Sequence, residues 1–248
     1  MATGHTVAVL GGGSFGTVIG NITARNGHRV SLWLRNAARA NAINALRENR
    51  EYLPGYVLSE RLTATERLND SVSGADIVFV AVPSKSFRDV VQELALLLPP
   101  TAVVISLTEG IEARGFRLMS QILREELPDN PLGVLSGPNL AREIAAGHVS
   151  GSVIASELPS VNELIHDLLH CDAFLIYGSH DMFGVELGGA LKNVYAILAG
   201  VGAALQFGEN TVGMLLTRSL AEMSRFAVHM GANPLTFLGL SGVGDLFV

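Results

Sequence analysis

A single cysteine, Cys171, leaves the chain without an internal disulfide, and no Cys/His set has the spacing of a zinc site. A metal-free protein of a reducing compartment is expected, with the cytoplasm as its location. Positive charge is scarce: 17 Lys+Arg stand against 23 Asp+Glu for a formal charge of −6, with no basic cluster to follow a phosphate backbone, which disfavours nucleic acid as a partner. Long apolar runs are missing too. The longest uncharged apolar stretch, residues 193–207, falls short of the ~20 residues a bilayer span needs and is broken by glycine. Residues 1–5 hold no basic residue and no apolar core follows them, so neither a membrane span nor a signal peptide is expected. Internal repeats and low-complexity tracts are likewise lacking.

What is present is a hydrophobic content of 48% with only 16% charged residues over 248 positions, enough for a globular chain of one or two domains. Short apolar or β-branched runs at 6–10, 29–34, 76–82, 102–107, 132–135, 151–155 and 173–177 read as strands. Segments with helical periodicity lie between them, at 15–26, 37–50, 86–98, 116–127, 140–146 and 159–170, with prolines punctuating several connections. That alternation predicts an α/β fold, a Rossmann-like doubly wound parallel sheet. After residue 180 no strand is expected, and 184–205 and 211–230 read as two long helices. The expected division is therefore 1–179 as a dinucleotide-binding domain and 180–248 as the first part of a helical substrate domain. The apolar ending Leu246-Phe247-Val248 suggests that this domain is cut short, and leaves association, aggregation or a homodimer open.

Gly11-Gly12-Gly13-Ser14-Phe15-Gly16 fits G-x-G-x-x-G, follows the first strand and opens a helix. Gly11 would make the tight turn, Gly13 would let the backbone approach a pyrophosphate, and Gly16 would permit close helix packing, with the helix amides facing the anion. At the end of the second strand an NAD-specific site would carry Asp or Glu, but here the run is Trp33-Leu34-Arg35-Asn36. Arg35 either pairs with a 2′-phosphate, so that NADPH is accepted and preferred, or is an ordinary solvated arginine.

In open α/β sheets ligands bind beyond the carboxyl ends of the strands, which draws attention to Pro83-Ser84-Lys85, Thr108-Glu109-Gly110 and Ser136-Gly137-Pro138-Asn139. Each could border a nicotinamide or its substrate, or could serve only as turn or helix-start chemistry. Lys192 is more informative, because Glu186 and Lys192 are the only charges among the apolar and small residues from 184 to 207. A lysine there is costly unless paired or useful. Gly188 and Gly189 would let another element approach, so the ammonium could face an interdomain cleft; a lysine reaching out along the helix rim is the alternative. Asp245, in Gly242-Val243-Gly244-Asp245, is a candidate partner or a plain turn residue.

Gly11–Gly16, Ser136-Gly137-Pro138-Asn139-Leu140-Ala141, the run Gly184-Val185-Glu186-Leu187-Gly188-Gly189-Ala190-Leu191-Lys192-Asn193, and Gly244-Asp245-Leu246 occur in that order. Together they make the chain resemble the bacterial NAD(P)-dependent glycerol-3-phosphate dehydrogenases from the first strand to the last residue. The resemblance implies an oxidoreductase that interconverts dihydroxyacetone phosphate and sn-glycerol 3-phosphate with NADPH or NADH, for glycerophospholipid synthesis. It implies Ser14, Phe15, Arg35 and Ala141 as cofactor contacts, Gly137, Asn139 and Asp245 as substrate-site residues, and Lys192 as the group that gives or takes the proton. In the oxidation direction that role calls for a lowered lysine pKa. Members of the family typically carry lysine where Glu109 stands, a residue contacting both cofactor and substrate, and continue into a Ser-Arg-Asn segment that binds the substrate phosphate. The alternatives are a nucleotide-binding remnant without catalysis, or a related oxidoreductase acting on another hydroxy acid.

Overall fold

The computed structural model describes residues 4–247, so Val248 of the apolar ending lies outside the described residues. Eight strands form one sheet in the order β3-β2-β1-β4-β5-β6-β7-β8. They are β1 (Thr6–Leu10), β2 (Arg29–Trp33), β3 (Leu62–Thr65), β4 (Ile77–Val80), β5 (Val103–Ser106), β6 (Leu132–Ser136), β7 (Ser150–Ala155) and β8 (Phe174–Ser179). All neighbours run parallel except β6 and β7, which pair antiparallel through Val134 with Ala155 and Ser136 with Val153. The sheet is thus mostly parallel and Rossmann-like, with one reversal that the sequence pattern did not suggest.

The near-continuous apolar character of β1 and β4 follows from burial on both faces. Side chains alternate across a strand, so Val7, Val9, Ile77 and Phe79 join one core with Ile19, Ile43, Ile144 and Ile165. Ala8, Leu10, Val78 and Val80 join the other with Val90, Leu94, Met119 and Ile122. Helices α1 (Ser14–Arg25), α2 (Ala37–Leu46), α6 (Ala141–Ala145) and α7 (Pro159–Leu169) cover the first face. The short α3 (Leu68–Val72), with α4 (Phe87–Ala95) and α5 (Met119–Glu126), covers the second. Each fully buried Val, Leu or Ile removes enough apolar surface to contribute roughly 1.5–3 kcal/mol.

Two helices differ from the periodicity reading for local reasons. The expected helix over 37–50 ends at Leu46, because Arg47 takes a left-handed conformation at φ 53° and its guanidinium donates to Leu62 O at 2.8 Å. The turn that follows buries Asn49, whose Nδ2 donates to Gly12 O at 3.0 Å and to Thr17 Oγ1 at 2.8 Å, bracing the glycine turn from behind. The expected helix over 116–127 starts only at Met119, since Phe116 sits at φ 55° and the preceding residues fold back, with Glu112 N–H donating to Arg117 O.

Beyond β8 the chain is helical: α8 (Met182–Ala204), α9 (Glu209–His229), a 3₁₀ turn (Pro234–Leu238) and a π-type turn (Leu240–Gly244). Asp181 caps α8 by accepting from Gly184 N–H at 2.9 Å, and its other oxygen accepts from Asn233 N–H at 3.0 Å and Thr236 Oγ1 at 2.5 Å. By length and composition α8 is the one helix among the described residues able to cross a membrane. Its first half is buried, with Val185 in a core with Val134, Ala155 and Met182, whereas Val194, Ile197, Leu198 and Val201 of its second half are exposed. Leu187 packs with Met223 and Phe237.

Candidate active site

Two adjoining cavities open at the carboxyl end of the sheet. The first, about 490 Å³, runs from Arg35, Arg39 and Tyr52 past Gly11–Gly16 to Lys85, Leu107 and Thr108. Its floor is the turn between β1 and α1. A Cβ on Gly11, which sits at φ +129°, would lie 2.2 Å from Ala81 O, and one on Gly16 would lie 2.2 Å from Gly11 O. The turn can therefore close only with glycine at those positions. Gly13, by contrast, has nothing within 4 Å of where its Cβ would be, a cradle open to an approaching ligand. The first turn of α1 has no side-chain cap, so its orphan N–H groups face this space with the positive end of the helix dipole. The lining includes Arg35, Arg39 and Lys85 and no carboxylate. An elongated, positively charged trough ending in an uncapped helix fits a dinucleotide; Gly11, Gly13, Ser14, Phe15, Gly16 and Arg35 all line it.

The second cavity, about 400 Å³, is lined by Phe15, Leu107, Glu109, Gly137, Asn139, Leu140, Lys192, Asn193, Ala196 and Asp245. Phe15 and Leu107 line both cavities, so the two meet there. Four elements deliver its polar groups. Glu109 follows β5, where Thr108 Oγ1 donates to Val82 O at 2.7 Å and ties this turn to the one after β4. Asn139 follows β6 and accepts from Ser152 Oγ at 2.6 Å. Lys192 comes from α8, and Asp245 from the residue closing the π-type turn.

Small residues on α8 make this convergence possible. A Cβ on Gly188 would meet Ser241 O at 2.5 Å, and one on Gly189 would stand 3.0 Å from Ser136 Oγ and 3.1 Å from Glu109 Oε1. The close approach expected of these glycines is what brings the Asp245 turn and the Glu109 turn onto the helix.

At the centre, Lys192 Nζ lies 3.0 Å from Glu109 Oε2 and donates to Asp245 Oδ2. The Asp245 side chain is only 4% exposed, whereas Glu109 retains 31%. Burial works to lower the Lys192 pKa, but the hydrogen bond to Asp245 and the charges of Glu109 and Asp245 outweigh it and hold the amine above its ordinary value. The lowered lysine pKa that the oxidation direction calls for is therefore not found: two carboxylates keep the group an ammonium. Asp245 is pushed up to about 6, first by burial and further by the charge of Glu109, against the opposing pull of Lys192.

Of the sequence-derived site residues, Ala141 is not brought to either cavity. As the first residue of α6, a helix that packs on α1, it is buried in the core, while Asn139 and Leu140 before it line the second cavity. Arg39, Tyr52 and Asn49 escaped the sequence reading: Arg39 lines the trough from the first turn of α2, while Tyr52 lines it and Asn49 braces the glycine turn from the segment that folds back after Leu46. Glu186, the other charge of α8, is buried, and its carboxylate accepts from Ser120 N–H at 2.9 Å and from Ser120 Oγ at the start of α5. Its pKa rises to about 7, mainly through burial. Among the described residues no cluster of His, Cys, Asp and Glu could hold a metal ion.

Comparison with known proteins gives a consistent result. The family model described as the N-terminus of NAD-dependent glycerol-3-phosphate dehydrogenase matches residues 6–162, and the corresponding C-terminus model matches residues 181–248. A glycerol-3-phosphate dehydrogenase [NAD(P)+] of Acinetobacter baumannii is 56% identical over 245 residues, covering 99% of this chain and 68% of that protein. The protein of the same name from Alcanivorax borkumensis is 53% identical over 242 residues, 98% of this chain and 71% of its own length. A crystal structure of glycerol-3-phosphate dehydrogenase from Coxiella burnetii superposes with a TM-score of 0.94 at 35% identity, covering 98% of this chain and 75% of that one.

Proposed function

The chain belongs to the NAD-dependent glycerol-3-phosphate dehydrogenase family, and from that premise we propose that it interconverts dihydroxyacetone phosphate and sn-glycerol 3-phosphate with NADH or NADPH. The product is the three-carbon backbone on which glycerophospholipids are built. One observation carries the reading: an ammonium held by two carboxylates stands in a cavity that meets the dinucleotide trough at Phe15 and Leu107.

The cofactor, when bound, supplies the hydride. The glycine turn and the start of α1 hold its pyrophosphate, and Arg35 lies toward the adenosine end of the trough. As the substrate ketone is reduced, negative charge develops on its oxygen. Lys192, kept protonated by its neighbours, hydrogen-bonds to that oxygen and delivers the proton. Asp245 aims the ammonium, and Asn139 and Gly137 border the substrate on the side of β6. In the oxidation direction Lys192 would have to be neutral to take the hydroxyl proton, whereas its two carboxylates hold it as the ammonium with which reduction starts.

Residues 1–179 form the dinucleotide-binding domain of this reading and residues 180–248 the first part of the substrate domain. The gap between the two family-model matches, after residue 162 and before residue 181, supports that division. The cytoplasm is the inferred location, in keeping with one free cysteine. A homodimer belongs to the same proposal, and light scattering of the purified chain tests it.

Relatives named for the activity at more than half identity favour the enzyme over a remnant that binds nucleotide without chemistry. The test is oxidation of NADPH or NADH that depends on dihydroxyacetone phosphate. Turnover should fall by about 10²-fold or more in Lys192→Ala, with cofactor binding retained. Cofactor binding without any substrate-dependent oxidation in the parent chain would favour the remnant. Retained activity in Lys192→Ala, with the slope of log rate against pH unchanged, would remove Lys192 from the chemistry.

A further inference from the structure

The adenosine end of the dinucleotide trough holds more than Arg35. With strand order β3-β2-β1-β4, the space beyond β1 and β2 is where the adenosine ribose of a dinucleotide belongs, and Lys85, after β4, lies on the opposite side of the glycine turn. Arg35 and Arg39 are therefore the two cations on the ribose side. No carboxylate lines the trough to accept ribose hydroxyls.

The two arginines are held differently. Arg35 is exposed, and among the described residues it has no carboxylate within 4.0 Å. Arg39 is fixed. It stands in the first turn of α2, its N–H donating to the Asn36 cap at 2.9 Å, and its guanidinium carbon lies 4.8 Å from the centroid of the Tyr52 ring. Its Nη1 is 3.2 Å from Glu51 Oε1, and Glu51 is 59% exposed and outside the trough lining. A guanidinium stacked on an aromatic face and aimed by one weak, solvent-exposed partner loses little freedom when it engages a phosphate.

We propose that Arg39, positioned by Tyr52, is the residue that selects the 2′-phosphate of NADPH over the ribose hydroxyl of NADH, with Arg35 as the second, mobile cation. This rests on the dinucleotide reading of the trough and goes beyond it by assigning the selectivity. The 2′-phosphate takes guanidinium hydrogens that Glu51 leaves unused, a charge-assisted contact that the ribose hydroxyl of NADH cannot match.

The trough contains its own reporter, because Trp33, the only tryptophan, lines it. Quenching of Trp33 fluorescence in the full chain is titrated with adenosine 2′,5′-bisphosphate and with 5′-AMP, which differ only in the 2′-phosphate. The parent should bind the bisphosphate about tenfold more tightly or better. Arg39→Gln should remove most of that preference while leaving 5′-AMP affinity within about twofold, and Arg39→Lys, which keeps charge but not the planar stack, should fall between. Equal affinity for the two probes in the parent, or equal weakening of both in Arg39→Gln, overturns the assignment. Failure of both probes to bind overturns it together with the dinucleotide reading. Intact discrimination in a chain that turns over no dihydroxyacetone phosphate would leave the selectivity standing and sink only the reaction.

Discussion

Glu109 and Asp245 share one ammonium, reaching Lys192 from the turn after β5 and from the turn after the last helical segments, across 83 and 53 residues of sequence. The trio carries one positive and two negative charges beside a cavity assigned to a phosphorylated substrate. At ~4 Å and an effective dielectric of ~20, each unit interaction between Glu109 and a substrate anion is about 4 kcal/mol before screening, and it is repulsive.

Replacing that charge should therefore help the reaction. Glu109→Lys is expected to raise kcat/KM for dihydroxyacetone phosphate at least about tenfold, with Glu109→Gln giving a smaller gain. Steady-state kinetics of the three proteins decide it. An unchanged or reduced kcat/KM in both variants would mean that the anion does not pass near Glu109.

The same carboxylate should be visible in the pH profile. Asp245 stands at about 6, above the usual carboxylate range, through burial first and then through the charge of Glu109. Removing that charge in Glu109→Gln lowers the Asp245 pKa, so the acid limb of kcat/KM against pH should move to lower pH. An acid limb that stays in place would separate Asp245 from the rate.

Glu186 gives a stability prediction. Its pKa is raised from the ordinary 4.5 to about 7, so its contribution to folding is fully present below about pH 4.5 and is lost as the pH climbs through 7, where the ionised group must be held out of water. Glu186→Gln cannot ionise. Its unfolding free energy should fall less between pH ~5 and ~8 than that of the parent, by on the order of 1–3 kcal/mol. Denaturant titrations at the two pH values measure this, and parallel pH dependences would contradict the burial argument.

Gly188→Ala probes the contact behind the site. The added methyl would lie 2.5 Å from Ser241 O, so the π-type turn must move away. We expect a loss of ~1–3 kcal/mol in stability and a fall in kcat larger than any change in binding of the adenosine probes. Equal losses in both functions would point to general unfolding rather than displacement of Asp245.

Much of this was legible in the sequence, for reasons that can be named. β1 and β4 are continuous apolar runs because both faces are buried, and Lys192 stood out because a charge in an oily helix needs a partner. β3 was missed: Leu62–Thr65 is four residues long, half of them threonine, and only its pairing with β2 makes it a strand. The antiparallel turn of β7 leaves no trace in composition. Tyr52 and Asn49 were invisible because their places at the trough and behind the glycine turn depend on a left-handed Arg47, a conformation that residue type does not announce. Ala141 shows the converse: its place in a recognisable motif did not bring it to either cavity.

The bare backbone contact at Gly188 carries one last implication. With no side chain between them, the helix that bears the amine and the turn that bears its acid partner are braced like two beams bolted at a single joint. Any force that tilts one carries the other along, so whatever sets the orientation of that helix also sets how far the proton-giving group can reach.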